Sequence, residues 1–221
     1  MSGARQPVFI YGAGGHGKVV ADILLSAMNF EVRGFVDDLT SPGPRKILGL
    51  DVLGDLHWLF SGVNSGPVAL ALGIGDNFQR RTLAEKCLGL GATLVIAIHP
   101  RAAMAPSATI AEGSVVMAGV VVNPGARVGR GAILNSGAIV EHDCVIGDFA
   151  HLSPGVALGG GVTIGELSHI GIGASVLPGI SIGAGCKVGA GSVVLRDIPD
   201  HAVAYGVPAS LRGTLKQPGN E

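Results

Sequence analysis

Hydrophobic and polar positions follow two different patterns along the chain, and the change falls near residue 98. Before it, short apolar runs alternate with segments whose apolar residues recur at helical spacing, which predicts strands alternating with helices. This alternation is typical of a small parallel sheet covered by helices. The predicted elements are strands at Val8–Tyr11, Glu31–Val36, Val68–Ile74 and Thr93–Ile98 and helices at Lys18–Met28, Asp55–Phe60 and Phe78–Leu88.

From Ile98 to Val194 an aliphatic residue or methionine occupies every sixth position. Four places after each, from Ile110 onward, stands a small or modest residue, and glycine is frequent at the places between. A repeat of this kind predicts a solenoid, in which each unit stacks on its neighbours. Three successive hexads form one coil of a triangular prism, with a short strand on each side and the aliphatic residues inside. We therefore predict a parallel β-helix after the α/β unit.

Composition and charge narrow the class of protein. The chain has 221 residues with 37 glycines and only 4% aromatic residues, so small side chains that suit tight stacking carry its hydrophobicity. A net charge of −1 without a basic block excludes a sequence-independent nucleic-acid binder. No apolar run approaches the roughly 18–20 residues of a spanning helix, and three cysteines without CxxC spacing indicate reduced thiols. We expect a soluble, cytoplasmic protein.

One coil of the predicted β-helix, Leu134–His151, carries a polar cluster, which comprises Asn135, His142, Asp143 and His151. Gly160 occupies the place of His142 in the next coil and stacks on it, so the missing side chain leaves room for a ligand. An imidazole can take the proton of an amine that attacks a thioester, and a carboxylate on its other nitrogen fixes its tautomer. Neighbouring strand residues point to opposite faces, so this pairing requires a bend at a coil corner. Surface histidines without a task are the alternative interpretation.

Other residues of the repeat are weaker candidates for catalysis or ligand binding. His169 follows His151 by exactly one coil, and we expect a structural or solvent-facing role for it, with a cofactor contact as the alternative. A metal site at His142, His151 and His169 lacks a further ligand with recognisable spacing, so we expect no metal. Cys144 and Cys186 fall on small inward positions, which indicates structural thiols and no covalent acyl-enzyme.

The first half contains a glycine-rich loop, Gly12–Gly17, between a predicted strand and a predicted helix, and Asp37 and Asp38 follow about twenty residues later. This spacing satisfies the dinucleotide fingerprint, so an NAD-dependent enzyme is one hypothesis. The same backbone N–H groups also suit the pyrophosphate of a nucleotide-sugar. We favour the nucleotide-sugar, because the unit ends by Ile98 and is too short for two nucleotide-binding halves. A glycine turn needed only for packing is the third interpretation.

Three further residues of this half are predicted to have no part in binding. Trp58 is expected to pack helices, and Arg80 and Arg81 are expected on a solvated helix face.

The hexads resemble the left-handed β-helix of the hexapeptide-repeat acyltransferases, and Gly206-Val207-Pro208-Ala209 resembles the closing motif of that superfamily. More narrowly, the loop Gly12–Gly17 together with the stretch Ile139–His151 resembles the sialic acid O-acetyltransferase and nucleotide-aminosugar N-acetyltransferase family. Members of its bacillosamine pathway acetylate a UDP-linked 4-amino-sugar. The resemblance implies a left-handed parallel β-helix, acetyl-CoA as acyl donor and a homotrimer.

The resemblance also implies roles for individual residues. His142 matches the general base, Asp143 its carboxylate partner and Asn135 a residue of the hydrogen-bond network. Asp143 stands where some members carry glutamate. The matches to acetyl-CoA contacts are His151, Gly160, Ile172 and Ala190. The matches to nucleotide contacts are Gly14, Gly15, His16, Asp37, Asp38 and Gly75.

We therefore expect an N-acetyltransferase that acts by direct transfer on the amino group of a nucleotide-linked, UDP-bound 4-amino-sugar. Residues 1–97 are predicted to form a Rossmann-like nucleotide-sugar-binding domain, 98–199 the β-helix acetyltransferase domain, and 200–221 a C-terminal extension. Three alternatives stay open: a sialic acid O-acetyltransferase, a GDP-amino-sugar N-acetyltransferase, and a non-catalytic scaffold that has kept the solenoid.

Overall fold

The computed structural model describes residues 5–40, 42–43, 46–61 and 67–215. The chain splits into two compact units, Met1–Pro100 and Arg101–Glu221. The end of the predicted C-terminal extension, residues 216–221, lies outside the described residues.

The first unit is an α/β structure whose central strand carries the glycine-rich loop. Its elements are β1 (Gln6–Tyr11), α1 (Gly15–Ala27), β2 (Phe30–Val36), β3 (Val52–Gly54), α2 (Leu56–Phe60), β4 (Ala69–Leu72), α3 (Asn77–Gly89), β5 (Thr93–Leu94) and β6 (Ala97–Ile98). Strands β1 to β5 form a parallel sheet in the order β3-β2-β1-β4-β5. Because β1 lies between β2 and β4, the loops after these three strands meet at one edge of the sheet.

The second unit consists of short strands, most of them two residues long, that pair in parallel with their counterparts one coil away. Face 1 contains β7 (Ala103–Met104), β10 (Val121–Val122), β13 (Ile139–Val140), β16 (Ala157–Leu158), β19 (Ser175–Val176) and β22 (Val193–Val194). Face 2 contains β8 (Thr109–Ile110), β11 (Arg127–Val128), β14 (Val145–Ile146), β17 (Thr163–Ile164) and β20 (Ser181–Ile182). Face 3 contains β9 (Val115–Val116), β12 (Ile133–Leu134), β15 (His151–Leu152), β18 (His169–Ile170), β21 (Lys187–Val188), β23 (Ala202–Gly206) and the antiparallel β24 (Ala209–Thr214).

The interior of this prism is filled as the hexads predict. The sixfold aliphatic residues from Val116 to Val194 are all buried, and Val116, Val122 and Leu134 are each 1% exposed or less. The residues four places after each of them are buried too, except the half-buried Ile180, and Cys144 and Cys186 are both 0% exposed. The predicted α/β unit followed by a parallel β-helix is therefore confirmed.

The chain turns at three corners, and most corner residues have positive φ. Corner A, between faces 3 and 1, is made of glycines 119, 137, 155, 173 and 191. Corner B, between faces 1 and 2, is made of Gly125, Asp143, Gly161 and Gly179. Corner C, between faces 2 and 3, is made of Gly113, Gly131, Phe149, Leu167 and Gly185. Corner B is the one that carries the predicted catalytic pair.

Candidate active site

His142 and Asp143 form a hydrogen-bonded pair at corner B. The distance from His142 Nδ1 to Asp143 Oδ2 is 2.9 Å, and the two side chains are 63% and 73% exposed. The bend that this pairing requires is present, because Asp143 has a φ of 61°. The other three residues of corner B are glycines, and aspartate is among the few other residues that enter this left-handed region readily.

Two glycines make room for the pair in the coils on either side. A Cβ at Gly160 would collide with the imidazole ring of His142, at Nε2 and Cε1. A Cβ at Gly125 would come within 2.5 Å of Asp143 Oδ1. Gly160 lies against His142 as predicted, but the space left by its missing side chain, which was predicted to admit a ligand, is taken by the imidazole ring. Both glycines are needed for the dyad to keep its conformation.

The surroundings of His142 favour its protonated form. The hydrogen bond to Asp143 raises the pKa of His142 above its ordinary value of 6.5, and the charges of Asp143 and Glu141 act in the same direction. When His142 is neutral, Nδ1–H donates to Asp143 and Nε2 keeps a lone pair that can accept a proton. A carboxylate-oriented imidazole at a solvent-facing corner is an arrangement suited to general-base chemistry.

Asn135 and His151 form a second pair, on a different part of the same coil. Asn135 Nδ2 lies 3.3 Å from His151 Nε2, and the Ser136 backbone N–H donates to Asn135 Oδ1 at 2.8 Å. His151 is 9% exposed and stacks against His169, with the ring centroids 4.6 Å apart. His169 Nε2 lies 2.8 Å from Ser153 Oγ. Ser153 was missed by the sequence interpretation, although it follows Asn135 by one coil.

The remaining predicted acetyl-CoA contacts lie at corner A. The Gly191 N–H donates to the Ile172 carbonyl at 2.8 Å, which places Ile172 and its neighbour one coil on, Ala190, side by side. Ile172 is 60% exposed. Asn135 precedes corner A directly, whereas His142 and Gly160 belong to corner B. The predicted residues therefore divide into two groups, separated within one prism by the side that contains face 1.

In the first unit, the glycine-rich loop combines two kinds of glycine. A Cβ at Gly12 would come within 2.8 Å of the Gly73 carbonyl oxygen, and one at Gly17 would collide with the Gly12 carbonyl, so these glycines are required for packing. Among the described residues, none places an atom within 4 Å of a Cβ at Gly14 or Gly15, apart from the adjoining residues of the chain, and Gly14 is the N-cap of α1. Backbone N–H groups at an exposed helix N-terminus suit a phosphate.

Asp37 holds this loop in place. Its Oδ2 accepts the Ala13 N–H at 2.7 Å, and its Oδ1 accepts the N–H groups of Leu39 and Thr40 at 2.8 Å each. Burial alone would raise the pKa of Asp37, but these hydrogen bonds, that of Ala13 foremost, hold the pKa below its ordinary value. The acidic position that the fingerprint assigns to a ribose is thus also a structural support of the loop.

Asp38 is engaged as well, next to a cleft. Its Oδ1 accepts the Leu56 N–H at 3.0 Å, and its Oδ2 lies 4.0 Å from Lys86 Nζ. Both aspartates line a cleft of about 290 Å³, whose other lining residues are Thr40, Pro42, Leu53, Gly54, Asp55 and Trp58. Trp58 packs edge-on against Phe9, with the ring centroids 6.4 Å apart, so it serves both packing and the cleft wall.

The prediction that Arg80 lies on a solvated face is wrong. Arg80 is 0% exposed and donates to the carbonyls of Ile74 and Gly75, at 3.1 and 2.9 Å, and to Asn77 Oδ1 at 2.9 Å. It thereby fixes the loop after β4, because a buried guanidinium needs acceptors. Helical periodicity alone did not show this, since α3 turns that residue inward toward the loop carbonyls.

Arg80 also influences His16. Burial, with the charge of Arg80 in addition, lowers the pKa of His16 to about 4, so this imidazole is neutral at neutral pH. Its buried Nε2 has no hydrogen-bond partner among the described residues. A Cβ at Gly75 would lie 3.9 Å from His16 Cβ. The structure therefore brings together the predicted nucleotide contacts Gly14, Gly15, His16 and Gly75 at the same sheet edge as Asp37.

Within the described ranges, no three or more histidines, cysteines, aspartates or glutamates are placed to hold a metal ion. Among the helices of the described part of the chain, none has the length and apolarity needed to cross a membrane.

Two family models match the chain. The PglD N-terminal domain matches residues 7–87, and the bacterial transferase hexapeptide model of six repeats matches residues 161–196. A curated relative, UDP-N-acetylbacillosamine N-acetyltransferase of Bacillus subtilis (strain 168), is 39% identical over 121 residues, covering 50% of this chain and 51% of the relative. The chain thus matches about half the length of that curated relative.

Solved structures match over almost the whole chain. A histidine-to-alanine variant of GDP-perosamine N-acetyltransferase from Caulobacter crescentus, in complex with CoA and GDP-perosamine, has a TM-score of 0.89 and 44% identity, covering 95% of this chain and 98% of its own. The acetyltransferase domain of PglB from Neisseria gonorrhoeae FA1090, in complex with acetyl coenzyme A, has a TM-score of 0.87 and 38% identity, covering 95% and 100%. With its α/β unit and left-handed parallel β-helix, the chain belongs to the hexapeptide-repeat acyltransferases of the sialic acid O-acetyltransferase and UDP-4-amino-sugar N-acetyltransferase family.

Proposed function

We propose that the protein is an acetyl-CoA-dependent N-acetyltransferase that modifies the amino group of a nucleotide-linked 4-amino-sugar, with UDP as the predicted nucleotide. The observation that carries this proposal is the exposed His142–Asp143 pair, whose nitrogen and oxygen are 2.9 Å apart. Relatives in the same family support it, because the Bacillus subtilis enzyme is named for a UDP-linked substrate and the Neisseria gonorrhoeae domain was solved with acetyl coenzyme A.

The chemistry is a direct transfer. The sugar amine attacks the carbonyl carbon of the thioester while His142 Nε2 accepts the proton that the amine loses. Asp143 keeps the Nδ1–H tautomer and stabilises the imidazolium that forms, as its hydrogen bond to Nδ1 allows. This attack forms a tetrahedral intermediate. Its collapse breaks the C–S bond, and CoA leaves as the thiol with the proton returned from His142. The products are the acetamido-sugar and free CoA.

Part of the donor site follows from the second group of residues. Asn135, His151, Ile172 and Ala190 are proposed to contact acetyl-CoA or the acetyl group, together with Gly160 from corner B. The side of the prism between corners A and B is about six residues long, roughly 15–20 Å when extended. One prism therefore does not bring both groups around a single thioester, and a homotrimer with sites between neighbouring copies supplies the missing half in each site.

The acceptor's nucleotide is proposed to bind the first unit. Residues 1–97 form the nucleotide-sugar domain in this proposal, 98–199 the acetyltransferase domain and 200–221 an extension. Gly14, Gly15, His16 and Gly75 are proposed to contact the diphosphate end, and the cleft beside Asp37 and Asp38 the nucleoside, because phosphates favour exposed helix N-termini and nucleosides favour clefts with apolar walls. Three free, buried cysteines support a cytoplasmic location.

A GDP-linked amino-sugar is the second candidate acceptor. It is favoured by the Caulobacter crescentus relative, which is 44% identical, matches 95% of this chain and was solved with GDP-perosamine. The two candidates share the base and the donor and differ in the nucleotide that the first unit must recognise.

The test is release of free CoA from acetyl-CoA across UDP- and GDP-linked 4-amino-sugars, with free sialic acid as a further acceptor. The variant His142→Ala is assayed beside His57→Ala, which removes an exposed histidine from α2. Turnover on one nucleotide-linked amino-sugar that is lost in His142→Ala and kept in His57→Ala supports the proposal and identifies the nucleotide. Turnover confined to sialic acid, or silence together with no acetyl-CoA binding, contradicts it.

A further inference from the structure

The pair Asn135–His151 is repeated one coil later. Ser153 takes the place of Asn135 in that coil and His169 takes the place of His151, with His151 and His169 as direct partners in face 3. The contact recurs as well: His151 Nε2 lies 3.3 Å from Asn135 Nδ2, and His169 Nε2 lies 2.8 Å from Ser153 Oγ. A polar side chain and a histidine thus meet in two successive coils, and Lys187 follows His169 in the same row of face 3.

The hydrogen bonds of Asn135 determine which nitrogen of His151 carries the proton. The Ser136 N–H donates to Asn135 Oδ1 at 2.8 Å, so the carbonyl end of the amide points to Ser136. The amide NH₂ therefore faces His151 Nε2. This contact is a hydrogen bond in the neutral Nδ1–H tautomer of His151, because only that tautomer leaves a lone pair on Nε2. Flipping the amide would set two donors against each other at Ser136.

His169 restricts the orientation of that imidazole. The two rings are 4.6 Å apart between centroids and only 9° from parallel, so His169 covers one face of His151. The His169 ring is held in turn by Ser153, which is 4% exposed and whose backbone N–H donates to the Ile170 carbonyl at 2.9 Å. A rotated His151 ring would lose both the stack and the bond from Asn135.

We propose that His169, held by Ser153, is a positioning residue that fixes the orientation of the His151 ring and thereby keeps the contact of Nε2 with Asn135 that selects the tautomer. His169 does so through its ring and needs no contact with the reacting atoms. In the proposed enzyme His151 contacts the acetyl donor, so this inference rests on the proposed function for its kinetic consequence. Its structural consequence, a single tautomer of His151, stands apart from any activity.

The first readout is the imidazole ¹⁵N and ¹³C spectrum of histidine-labelled protein, with the His151 signals assigned from His151→Gln. The wild type is expected to show the Nδ1–H tautomer alone. In His169→Ala the signals should move toward a mixture with the Nε2–H tautomer, and His169→Phe, which keeps a flat ring over His151, should retain the wild-type signals. His151 signals in folded His169→Ala that coincide with those of the wild type would overturn the proposal.

The second readout is steady-state kinetics. His169→Ala should raise the KM for acetyl-CoA by about 3- to 10-fold, the range of an aromatic contact, and leave the KM for the amino-sugar unchanged. His169→Phe should recover most of this loss, Ser153→Ala should show a smaller one, and His57→Ala none. Equal rises in both KM values would contradict a role at the donor. If thermal unfolding shows that His169→Ala is not folded, His169→Phe and Ser153→Ala are compared with the wild type instead.

The two proposals fail in different ways. A wild type that shows the single tautomer but neither binds acetyl-CoA nor releases CoA contradicts the proposed function and leaves the positioning of His151 intact. An active wild type in which Ser153→Ala and His169→Ala change neither the spectrum nor the KM for acetyl-CoA contradicts the positioning alone.

Discussion

Asp37 and Asp143, one at each candidate site, are arranged in opposite ways. In the first unit, both carboxylate oxygens of Asp37 accept hydrogen bonds from backbone N–H groups, and one of these N–H groups belongs to the glycine-rich loop. In the β-helix, the side chain of Asp143 is 73% exposed, and its Oδ2 is hydrogen-bonded to Nδ1 of the His142 ring. In the first unit side chains organise the backbone that is offered to a ligand. In the second, a backbone corner organises the side chains.

This difference separates binding from chemistry in the proposed enzyme. Diphosphate recognition needs many N–H groups in fixed positions, which backbone supplies well. Proton transfer needs one titratable atom with a lone pair, which only a side chain supplies. We expect substitutions in the first unit to affect stability and acceptor binding, and substitutions at corner B to affect the rate.

The largest expected effect is the loss of the base in His142→Ala. General-base catalysis contributes about 100- to 10,000-fold, so kcat should fall by that order with the chain folded, because the side chain is 63% exposed. Steady-state CoA release measures the rate and thermal unfolding checks the fold. A variant that retains more than about a tenth of wild-type kcat would assign the base elsewhere.

Gly160→Ala tests whether the room beside the ring matters. The added methyl would collide with the His142 ring, and Gly160 has no positive φ that alanine would strain. Displacing the base by about 1 Å costs on the order of 100-fold, so kcat should fall by up to this factor while the melting temperature changes little. Gly179→Ala would be a poor control, because the φ of 74° at Gly179 would strain an alanine there. Ala157→Gly on face 1 serves as the control instead. Unchanged kcat in Gly160→Ala would show that His142 can move without loss.

Asp37→Asn tests the first unit. The amide keeps the size of the side chain but loses the charge that strengthens three backbone hydrogen bonds, so the unit should lose about 1–3 kcal/mol of stability. Because the folded pKa of Asp37 is depressed, this stability is present above the ordinary value of 3.8 and is lost as pH falls through the folded value. Denaturant unfolding at pH 7 measures it.

The same variant should raise the KM for the nucleotide-sugar and leave acetyl-CoA binding unchanged. Asp51→Asn is the control, since Asp51 is paired with Lys46 at the surface. Weaker acetyl-CoA binding in Asp37→Asn would contradict the separation of the two units' roles.

Asp143→Asn should lower kcat, because His142 loses the partner that keeps its tautomer and stabilises the imidazolium. The smallest expected effect is seen in the same variant, as a displaced pH profile of the activity that remains. Wild-type kcat/KM should fall on the acid side at a pH above 6.5, because the hydrogen bond to Asp143 raises the pKa of His142 and only the neutral ring accepts a proton. Removing the carboxylate charge lowers that pKa, so the acid limb of the normalised profile should move to lower pH. If the acid limb lies at the same pH in both proteins, the loss of activity at low pH does not come from the protonation of His142.

The sequence predicted more about the β-helix than about the first unit, for a physical reason. In a solenoid each coil repeats the same contacts, so sixfold spacing determined the inward positions and the step from one coil to the next placed Gly160 beside His142. The strand β3, with three residues, is too short to show a period and was missed. The orientation of Arg80 was predicted wrongly, because the carbonyls of Ile74 and Gly75 that accept from it belong to a loop that no period describes.

The candidate site was predictable in its members and not in its arrangement. The motif residues were identified from spacing and resemblance, yet the positive φ of Asp143, at the bend that brings its carboxylate to His142 Nδ1, is visible only in the structure. Spacing along the chain predicts the coil and the side of the prism on which a residue lies. It does not predict which side-chain atoms remain available to a ligand once the backbone N–H and C=O groups have their hydrogen-bond partners.

The glycine beside the His142 ring couples two positions, so that the effect of changing one of them depends on the residue at the other. The His142 ring keeps its present position only if the next coil has no side chain at the matching place, as at Gly160. A histidine introduced at this corner would therefore take a different position until the matching residue of the next coil has become glycine, and the reverse change alone gains nothing. The order of the two events matters: glycine first leaves a neutral intermediate, whereas histidine first leaves one with a misplaced ring.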